Sequence, residues 1–446
     1  MTDLHEHLYA YLCKIPDVSK FWVTYSGGLD SHVLLNATTT LRDRLEKPVQ
    51  VVHVHHGLHQ DADHWAAHCQ QVCNQLEIEL VTRHVDAIRD PELGPEATAR
   101  KARYGAFQSL LKEGGCLLLA HHQDDQAETF LLQALRGAGP TGLSSMPKIV
   151  TFGSGRLIRP FLPIPKKELL RYAREHSLDW LEDDSNQNRD LDRNFLRHEI
   201  MPTLKKRWPS AAATLSRSAE HSANLAKLVK DIAQSDLDNI VFEGERTLSV
   251  NRLNQLTPER QAAVLRAWLA QAGVQLPSTV LLKRILNEVL TAGHDREPLV
   301  EWPGAWVRRY QDRLFAGVPV TAFDPATVLS WDNLDEPLRI NALNSVVRTK
   351  PTASQGIAIE RCEGKQVSVR FRQGGERCRP AQRGSTHDLK KLFQEWRIPP
   401  WRRSRVPLIY VDNELAAVAG YTVCEPFVTP NNGTGYDFVV EMIESD

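Results

Sequence analysis

In the first two hundred residues, short apolar runs alternate with stretches of mixed polarity. The apolar runs are rich in β-branched and aromatic residues, as buried strands are, and they occupy residues 21–25, 49–55, 78–84 and 116–120. Between them, residues 61–76 and 95–111 are predicted to be helices, and Pro95 suits a first helical turn. Strands that alternate with helices predict an α/β domain with a Rossmann-like parallel sheet.

The pattern changes after Pro202 and Pro209. The next hundred residues carry apolar positions mainly at helical spacing, beginning with a connector helix that Ser210 is suited to cap. The last part mixes strand patterns with one short amphipathic helix and predicts an α+β fold. We therefore predict a catalytic α/β domain, a mainly helical domain and a basic α+β domain, at residues 1–209, 210–318 and 319–446.

Composition limits the class of protein. The 446 residues include 42% hydrophobic and 24% charged residues, as in ordinary globular proteins. The first residues lack a basic region followed by an apolar run, and no apolar stretch reaches the roughly 18 residues of a membrane span. A cytoplasmic protein without membrane contact is therefore expected. Seven scattered cysteines without a Cys-x-x-Cys pair predict neither a disulfide nor a cysteine-bound cluster.

The net charge of −1 hides an uneven distribution. Between Arg361 and Arg405, thirteen Lys and Arg residues outnumber four acidic residues. On composition alone, this segment is either a solvated face or a surface for a polyanion such as RNA.

The first apolar run ends in a glycine-rich turn followed by a helix. Gly27 and Gly28 remove side chains where a ligand can approach the backbone, and N–H groups at a helix start favour an anion. Ser26 and Ser31 add hydroxyl donors, whereas Asp30 would repel a phosphate unless a cation such as magnesium lay between them. The Walker-type lysine is missing, which disfavours kinase and GTPase chemistry. A nucleotide phosphate site with a metal ion is therefore predicted.

A second polar cluster follows the fourth predicted strand. His121 lies one turn before Asp125, and Glu128 lies three residues after Asp125 at a helix start. Because the carboxyl ends of parallel strands line one edge of a sheet, this cluster and the glycine-rich turn should share a cleft. Two neighbouring carboxylates favour a bound cation or amine. On the helix at residues 95–111, Arg100 is either part of a solvated face or a wall of that cleft.

In content and order these motifs resemble those of the tRNA(Ile)-lysidine synthases, a family of PP-loop ATP pyrophosphatases, in its longer form. The matching segments cover nearly all of the first two hundred residues: 26–31, 54–58, 96–104, 120–129, 136–146, 159–160 and 182–197. The resemblance implies an enzyme that uses ATP to adenylate the wobble cytidine of an isoleucine tRNA with a CAU anticodon. The side-chain amine of free lysine then attacks, which gives lysidine, AMP and pyrophosphate.

The resemblance also implies roles for individual residues. The ATP-binding residues would be Ser26, Gly27, Gly28, Leu29, Asp30 and Ser31. Asp30 would also hold magnesium and take part in catalysis. Asp125 and Glu128 would bind the lysine, with two further catalytic residues, His121 and Arg100, nearby. Which group removes the amine proton stays open; our hypothesis is His121, because imidazole titrates near neutral pH.

RNA contacts are expected in two places. Near the cleft, three candidates for phosphate or base contacts with the anticodon are Arg193, Asn194 and Arg197. The C-terminal basic segment is similar to that of the longer lysidine synthases, where it engages the acceptor stem. Its candidate contacts are Lys390, Lys391, Arg397, Arg402 and Arg403. Such residues give salt-dependent, sequence-independent binding. The sequence leaves open whether two copies form a homodimer.

Three other functions compete with this interpretation. A PP-loop enzyme that transfers sulfur would need catalytic or cluster-binding cysteines, but Cys69 and Cys73 lie in a predicted helix away from strand ends. A ligase of the asparagine or guanylate synthetase type would pair the loop with a glutaminase domain. A tRNA-binding protein without catalysis would have a damaged site, whereas Asp30, Asp125 and Glu128 are all present.

Overall fold

The computed structural model describes most of the chain. The described residues are 3–55, 57, 61–85, 95–182, 188–242, 246–293, 296–319, 323–381 and 383–442, with no side-chain description at 95–97 and 442. Parts of the predicted motifs lie outside this description: His56, Leu58, residues 183–186 and the side chain of Glu96. The chain forms two compact units, residues 1–232 and 233–446. The division into three domains at the boundaries given above stays a prediction.

The first unit combines six strands with ten helices, counted over the described residues. Its strands are β1 (Lys20–Thr24), β2 (Val49–His55), β3 (Leu80–His84), β4 (Gly115–Leu118), β5 (Ile149–Phe152) and β6 (Gly155–Ile158). Its helices are α1 (Leu4–Leu12), α2 (Leu29–Thr40), α3 (Arg42–Leu45), α4 (Ala62–Gln75), α5 (Pro95–Leu110), α6 (Gln123–Leu135), α7 (Pro140–Leu143), α8 (Lys166–Glu175), α9 (Asp192–Phe195) and α10 (Met201–Arg207). A π-helical turn, Leu196–Ile200, joins α9 to α10.

The six strands form one sheet in the order β3-β2-β1-β4-β6-β5. All neighbouring strands are parallel except β5, which runs antiparallel to β6. Both faces of β1 are covered, because Phe21 and Val23 belong to one hydrophobic core and Trp22 packs with Leu117 in the other. Burial on two faces explains why the strand is a continuous apolar run rather than an alternating one. The predicted Rossmann-like parallel sheet is confirmed.

The second unit begins within α11 (Ala211–Ile240), which is longer than the sequence pattern indicated. Three more helices follow: α12 (Val250–Leu253), α13 (Pro258–Gln271) and α14 (Thr279–Arg284), with a π-helical turn at Ile285–Val289. Ser278 caps α14 by accepting a hydrogen bond from the Leu281 N–H. These helices confirm the mainly helical prediction. The structure adds a four-stranded antiparallel sheet in the order β7-β10-β9-β8, formed by β7 (Leu248–Ser249), β8 (Leu299–Trp302), β9 (Ala305–Tyr310) and β10 (Arg313–Gly317).

The C-terminal part is α+β, as predicted. Its strands are β11 (Leu329–Ser330), β12 (Leu338–Ile340), β13 (Ser345–Ala353), β14 (Ile357–Ala358), β15 (Val367–Arg370), β16 (Arg377–Cys378), β17 (His387–Asp388), β18 (Leu408–Val411), β19 (Glu414–Val418), β20 (Thr422–Val423) and β21 (Thr434–Met442). Its helices are α15 (Leu389–Glu395) and α16 (Pro400–Arg403), with 3-10 turns at Asn341–Leu343 and Ile359–Arg361. β18 and β19 pair as an antiparallel hairpin.

The expectation that no cysteines pair is wrong. Cys378 and Cys424 form a disulfide although they lie 46 residues apart in the sequence. A β-bridge between Pro380 and Cys424 brings the two segments together, and both sulfur-bearing residues are buried. Sequence spacing reveals local pairs such as Cys-x-x-Cys, but it does not reveal a contact made by the packing of distant strands. Separately, no helix of the described residues is long and apolar enough to span a membrane.

Candidate active site

The glycine-rich turn lies at the carboxyl end of β1 and at the start of α2. Gly27 has a φ of 84°, a conformation that other residues rarely adopt, and its carbonyl accepts a hydrogen bond of 2.9 Å from the Leu181 N–H. A Cβ atom on Gly27 would lie 2.9 Å from Leu181 Cδ1. The Ser31 hydroxyl lies 3.1 Å from that of Ser26 and donates to the Gly28 carbonyl at 2.9 Å. The positive φ of Gly27 therefore favours glycine at this turn.

Asp30 lies in the first turn of α2, beside this cradle. Within the described part of the chain, its buried Oδ1 atom has no hydrogen-bond partner, while Oδ2 lies 3.4 Å from His122 Nε2. The described residues contain no group of three or more His, Cys, Asp and Glu that could hold a metal ion. A magnesium ion bound by one carboxylate, phosphate oxygens and water fits this arrangement, since magnesium rarely needs an all-protein cage. The unpaired Oδ1 atom makes Asp30 a suitable ligand.

His122, which the sequence analysis did not select, connects this cradle to the second polar cluster. It is the N-cap of α6: its Nδ1 accepts from the Asp125 N–H at 3.4 Å, and Asp125 Oδ2 accepts from the His122 N–H at 3.0 Å. Its Nε2 lies 3.4 Å from both Asp30 Oδ2 and Asp125 Oδ2. Burial disfavours the charged imidazole, but the carboxylates of Asp125 and Asp30 outweigh this effect and raise the pKa of His122. The sequence could have pointed to His122 only through its position at the start of the predicted helix.

The acidic pair of α6 is already neutralised by two arginines. Arg197 donates through Nε to Glu128 Oε1 at 2.9 Å and through one NH2 group to Glu128 Oε2 and Asp125 Oδ1, at 2.8 and 2.9 Å. Arg193 lies 3.3 Å from Glu128 and 3.2 Å from Asp125. Burial disfavours the charged form of Asp125, yet the positive charges of His122, Arg193 and Arg197 hold the pKa of its carboxyl well below the usual range. The cluster is therefore a closed network of ionised groups.

This network bears on one sequence-based expectation, which stays a prediction. Arg193, Asn194 and Arg197 were expected to contact the anticodon, but the two guanidinium groups bind Asp125 and Glu128 instead. Asn194 is buried and donates to the Asn188 carbonyl at 2.9 Å. The three residues were assigned to RNA because they follow a polar turn, and a sequence does not show that α9 packs on α6. In this conformation they build the site rather than face RNA.

His121 does not fit the role of general base. Its Nδ1 accepts a hydrogen bond of 3.3 Å from Arg159 Nε, so the proton of the neutral ring resides on Nε2. Burial, together with the charges of Arg159, Arg193 and Arg100, outweighs the attraction of Asp125 and lowers the pKa of His121 to about 3. An imidazole with this pKa is a very weak base at neutral pH. This geometry does not favour His121 as the group that removes the amine proton, and that role stays a prediction.

Replacing His121 with Gln is expected to make the fold less sensitive to acid. The folded pKa of His121 lies below its unfolded value of about 6.5, so the unfolded state binds the extra proton as the pH falls and stability is lost. Between neutral pH and about pH 5, the free energy of unfolding of the wild type should decrease by roughly 1–2 kcal/mol more than that of the variant. Urea unfolding at both pH values measures this difference. Equal losses in the two proteins would contradict the lowered pKa.

Arg100 lies at the edge of the His121 cluster. The Arg100 side chain is exposed; one NH2 group donates to the Tyr104 hydroxyl at 3.2 Å, and the guanidinium carbon lies 4.9 Å from the ring centroid of Tyr104. Its charge contributes to the lowered pKa values of His121 and Arg159, which places it close to both. A catalytic role of Arg100 stays a prediction, since these contacts show its position only.

Three family models match the chain. A PP-loop domain model matches residues 2–204, the TilS substrate binding domain model matches residues 248–315, and the TilS substrate C-terminal domain model matches residues 367–440. The chain is also similar to the tRNA(Ile)-lysidine synthase of Coxiella burnetii, with 43% identity over 98% of this chain and 96% of that protein. The chain belongs to the tRNA(Ile)-lysidine synthase family.

Other relatives agree with this family. The tRNA(Ile)-lysidine synthase of Methylococcus capsulatus is 40% identical over 90% of this chain and 91% of that protein. Among solved structures, the U34-tRNA thiolase NcsA from Methanococcus maripaludis is 18% identical and covers 49% of this chain and 77% of its own, with a TM-score of 0.39. A likeness at this TM-score carries no argument about the present chain. As a lysidine synthase family member, the chain is a tRNA-modifying ligase with an ATP-binding PP-loop domain.

The basic segment of this lysidine synthase family member contains both exposed and buried cations. Four of the five predicted RNA contacts have exposed side chains: Lys390, Lys391, Arg397 and Arg402. Arg403 is only 9% exposed, and it donates to the Ile398 carbonyl at 2.9 Å and to the Tyr310 hydroxyl at 3.1 Å. Arg403 thus packs within the fold, and its assignment to phosphate contact stays a prediction. Adjacent residues on a short helix face different directions, so one of two neighbouring arginines is used for packing.

Lys391→Ala is expected to weaken tRNA binding, whereas Arg403→Ala is expected to lower the stability of the fold. Loss of the exposed Lys391 should weaken tRNA binding a few-fold and reduce the slope of log Kd against log salt by about 0.7–0.9 per lost phosphate contact, with no change in Tm. Loss of Arg403 leaves the Ile398 carbonyl without its donor and should lower the stability by roughly 1–3 kcal/mol. Filter binding and thermal unfolding measure the two effects. A Tm change for Lys391→Ala would contradict the distinction.

Proposed function

We propose that this chain joins free lysine to the wobble cytidine of an isoleucine tRNA with a CAU anticodon, through an adenylated cytidine. In the first step, the oxygen at ring position 2 attacks the α-phosphorus of ATP, and the bond to pyrophosphate breaks. In the second step, the side-chain amine of lysine attacks the ring carbon, and AMP leaves with the oxygen. A tRNA substrate implies a cytoplasmic protein.

One observation carries the proposal. A single buried side chain, His122, lies 3.4 Å from the carboxylate beside the phosphate cradle and 3.4 Å from the carboxylate of the acidic pair. The place for the leaving pyrophosphate and the place for a cationic amine are therefore neighbours. A ligase that uses both ligands on one tRNA base requires that proximity.

The turn at Ser26–Ser31 would bind the pyrophosphate portion through backbone N–H groups and the Ser26 hydroxyl. Asp30 would hold a magnesium ion, which, when bound, neutralises negative charge on the phosphates. His122 would keep Asp30 and Asp125 in place, because its Nε2 lies 3.4 Å from a carboxylate oxygen of each. The chain's own groups thus fix the positions of both ligands before either arrives.

The lysine amine needs a neutral nitrogen before it can attack. Asp125 and Glu128 would accept hydrogen bonds from the amine, while Arg193 and Arg197 stay close to the same carboxylates. The two carboxylates favour the bound ammonium, whereas the neighbouring guanidinium groups and desolvation lower its pKa, so the ammonium would release a proton to water. This role replaces the general base first assigned to His121. It also gives Arg193 and Arg197 a function in the site.

The test is incorporation of radiolabelled lysine into unmodified isoleucine tRNA in the presence of ATP. Label should enter the tRNA with release of one AMP per lysine, and a transcript with uridine at the wobble position is the matched control. In the absence of lysine, α-labelled ATP should transfer labelled AMP to the tRNA. Lysine that enters without AMP release, or equal labelling of the control transcript, would exclude the mechanism.

A further inference from the structure

Two aromatic rings form a partly exposed stack in the C-terminal part of the second unit. The rings of Trp396 and Tyr421 lie 5.2 Å apart between centroids, at an angle of 20°. Trp396 ends α15 and packs against the buried Phe393, with centroids 6.0 Å apart. Tyr421 lies in the turn between β19 and β20 and is 48% exposed. One ring thus anchors the pair in the core, and the other presents aromatic surface to solvent.

Exposed cations neighbour Trp396 in the sequence of α15. Lys390, Lys391 and Arg397 belong to α15 or follow it directly and are exposed; no carboxylate of the described residues forms an ion pair with them. By contrast, Arg383 of the same region is paired with Glu395 at 2.7 Å. Partial burial raises the pKa of Tyr421, and the nearby charge of Arg402 opposes that increase.

An exposed aromatic ring among cations has the chemistry of a nucleobase platform. The π-face of a ring stacks on any base, and lysines and arginines beside it bind the phosphates on either side. A paired base has both faces covered by its neighbours, so only an unpaired base can use such a surface. Charge complementarity selects RNA over an apolar peptide as the occupant.

We propose that the Trp396–Tyr421 stack, named here the aromatic platform, binds an unpaired base at the 3′ end of the substrate tRNA. The proposal rests on the proposed function, which supplies tRNA as the substrate and assigns the anticodon loop to the active site. The D and T loops of a tRNA pair with each other. The 3′-terminal nucleotides therefore remain as the unpaired stretch that is free to stack.

The test is a double-mutant cycle with the full-length chain. Filter binding at one salt concentration gives Kd for intact tRNA and for tRNA without its unpaired 3′ nucleotides, with the wild type and with Tyr421→Ala. Removal of the 3′ nucleotides should weaken binding to the wild type by about tenfold, a typical loss for one stacked base. Tyr421→Ala should weaken binding of intact tRNA equally, and trimming should then cause no further loss. Tyr421→Phe keeps the ring and should bind like the wild type.

Several outcomes would overturn the platform. Trimming without effect on the wild type, or equal weakening of both tRNAs by Tyr421→Ala, would show that Tyr421 does not contact the 3′ end. The Tyr421→Ala change should leave the salt dependence of binding unaltered, because the ring is uncharged. A change in the molar mass measured by light scattering, without a change in tRNA affinity, would assign this face to a second copy of the chain.

The two proposals fail in distinguishable ways. If the binding cycle shows coupling but no lysine enters the tRNA, the proposed function is wrong and the platform stands as an RNA site. If lysine enters the tRNA but the cycle shows no coupling, only the platform is wrong. Thermal unfolding of Tyr421→Ala controls for loss of structure, and Tyr421→Leu, which keeps the apolar contact without a π-face, replaces it if Tm decreases.

Discussion

Replacing Asp30 with Asn is expected to slow adenylation of tRNA by about a thousandfold, a typical loss when a preorganised charge is removed from a reacting centre. Asn keeps the size of the side chain and can still accept the hydrogen bond from His122. It removes the negative charge that would hold a cation beside the phosphates. The measurement is the single-turnover transfer of labelled AMP from ATP to tRNA in the absence of lysine.

Asp43→Asn is the matched control for this change. Asp43 lies shortly after α2, its side chain is 98% exposed, and its nearest cation is Arg42 at 4.0 Å. This variant loses the same charge from the same region and should adenylate tRNA at the wild-type rate. If Asp30→Asn adenylates tRNA at a rate within about threefold of the wild type, the loss is far smaller than a transition-state contact predicts. Asp30 would then have no part in the mechanism.

Replacing Glu128 with Gln is expected to lower both stability and lysine transfer. Glu128 is 3% exposed and accepts three hydrogen bonds from Arg193 and Arg197. Breaking a buried ion pair leaves charge uncompensated, which costs about 3 kcal/mol. For a unit of this size the decrease in Tm is roughly 6–12 °C. Thermal unfolding and lysine incorporation below saturation measure the two losses.

A second substitution separates the effect of Glu128 on stability from its effect on lysine transfer. Glu128→Gln combined with Arg197→Gln removes both partners, so the double variant should be more stable than the sum of the single changes predicts. Lysine transfer should stay low, because the carboxylate is still missing. Glu220→Gln is the control, since Glu220 pairs with Lys148 at 3.1 Å on the surface, where an ion pair contributes at most about 1 kcal/mol. Recovery of lysine transfer in the double variant would show that Glu128 acts only by neutralising Arg197.

The parts of the fold that depend on local pattern were predictable. The run at residues 21–25 is apolar because β1 is covered on both faces, and the glycines that follow it are required by the backbone at Gly27. The strands β5 and β6 were not expected, although β6 pairs with β4 and extends the sheet. Their sequences are short and β5 is mostly exposed, so neither gives the continuous apolar signal of a central strand.

The site was predictable only where its residues are close in sequence. The two loops at the carboxyl ends of β1 and β4 were expected to meet, and the distances from His122 to Asp30 and Asp125 show that they do. The partners of the acidic pair were not predictable, because Arg193 and Arg197 reach it from about seventy residues later in the chain. The environment of His121 was not predictable for the same reason: Arg159, which donates to its Nδ1, is distant in sequence.

The contact between Gly27 and Leu181 links the shape of the phosphate cradle to the order in which the chain is made. The glycine turn leaves the ribosome early, but its hydrogen bond and its apolar neighbour come from a residue more than one hundred and fifty positions later. A nascent chain shorter than this lacks the hydrogen bond and the side-chain contact that Leu181 makes with the turn. Nucleotide binding should therefore begin only after Leu181 has emerged, which protects the growing polypeptide from capturing ATP before the rest of its first unit exists.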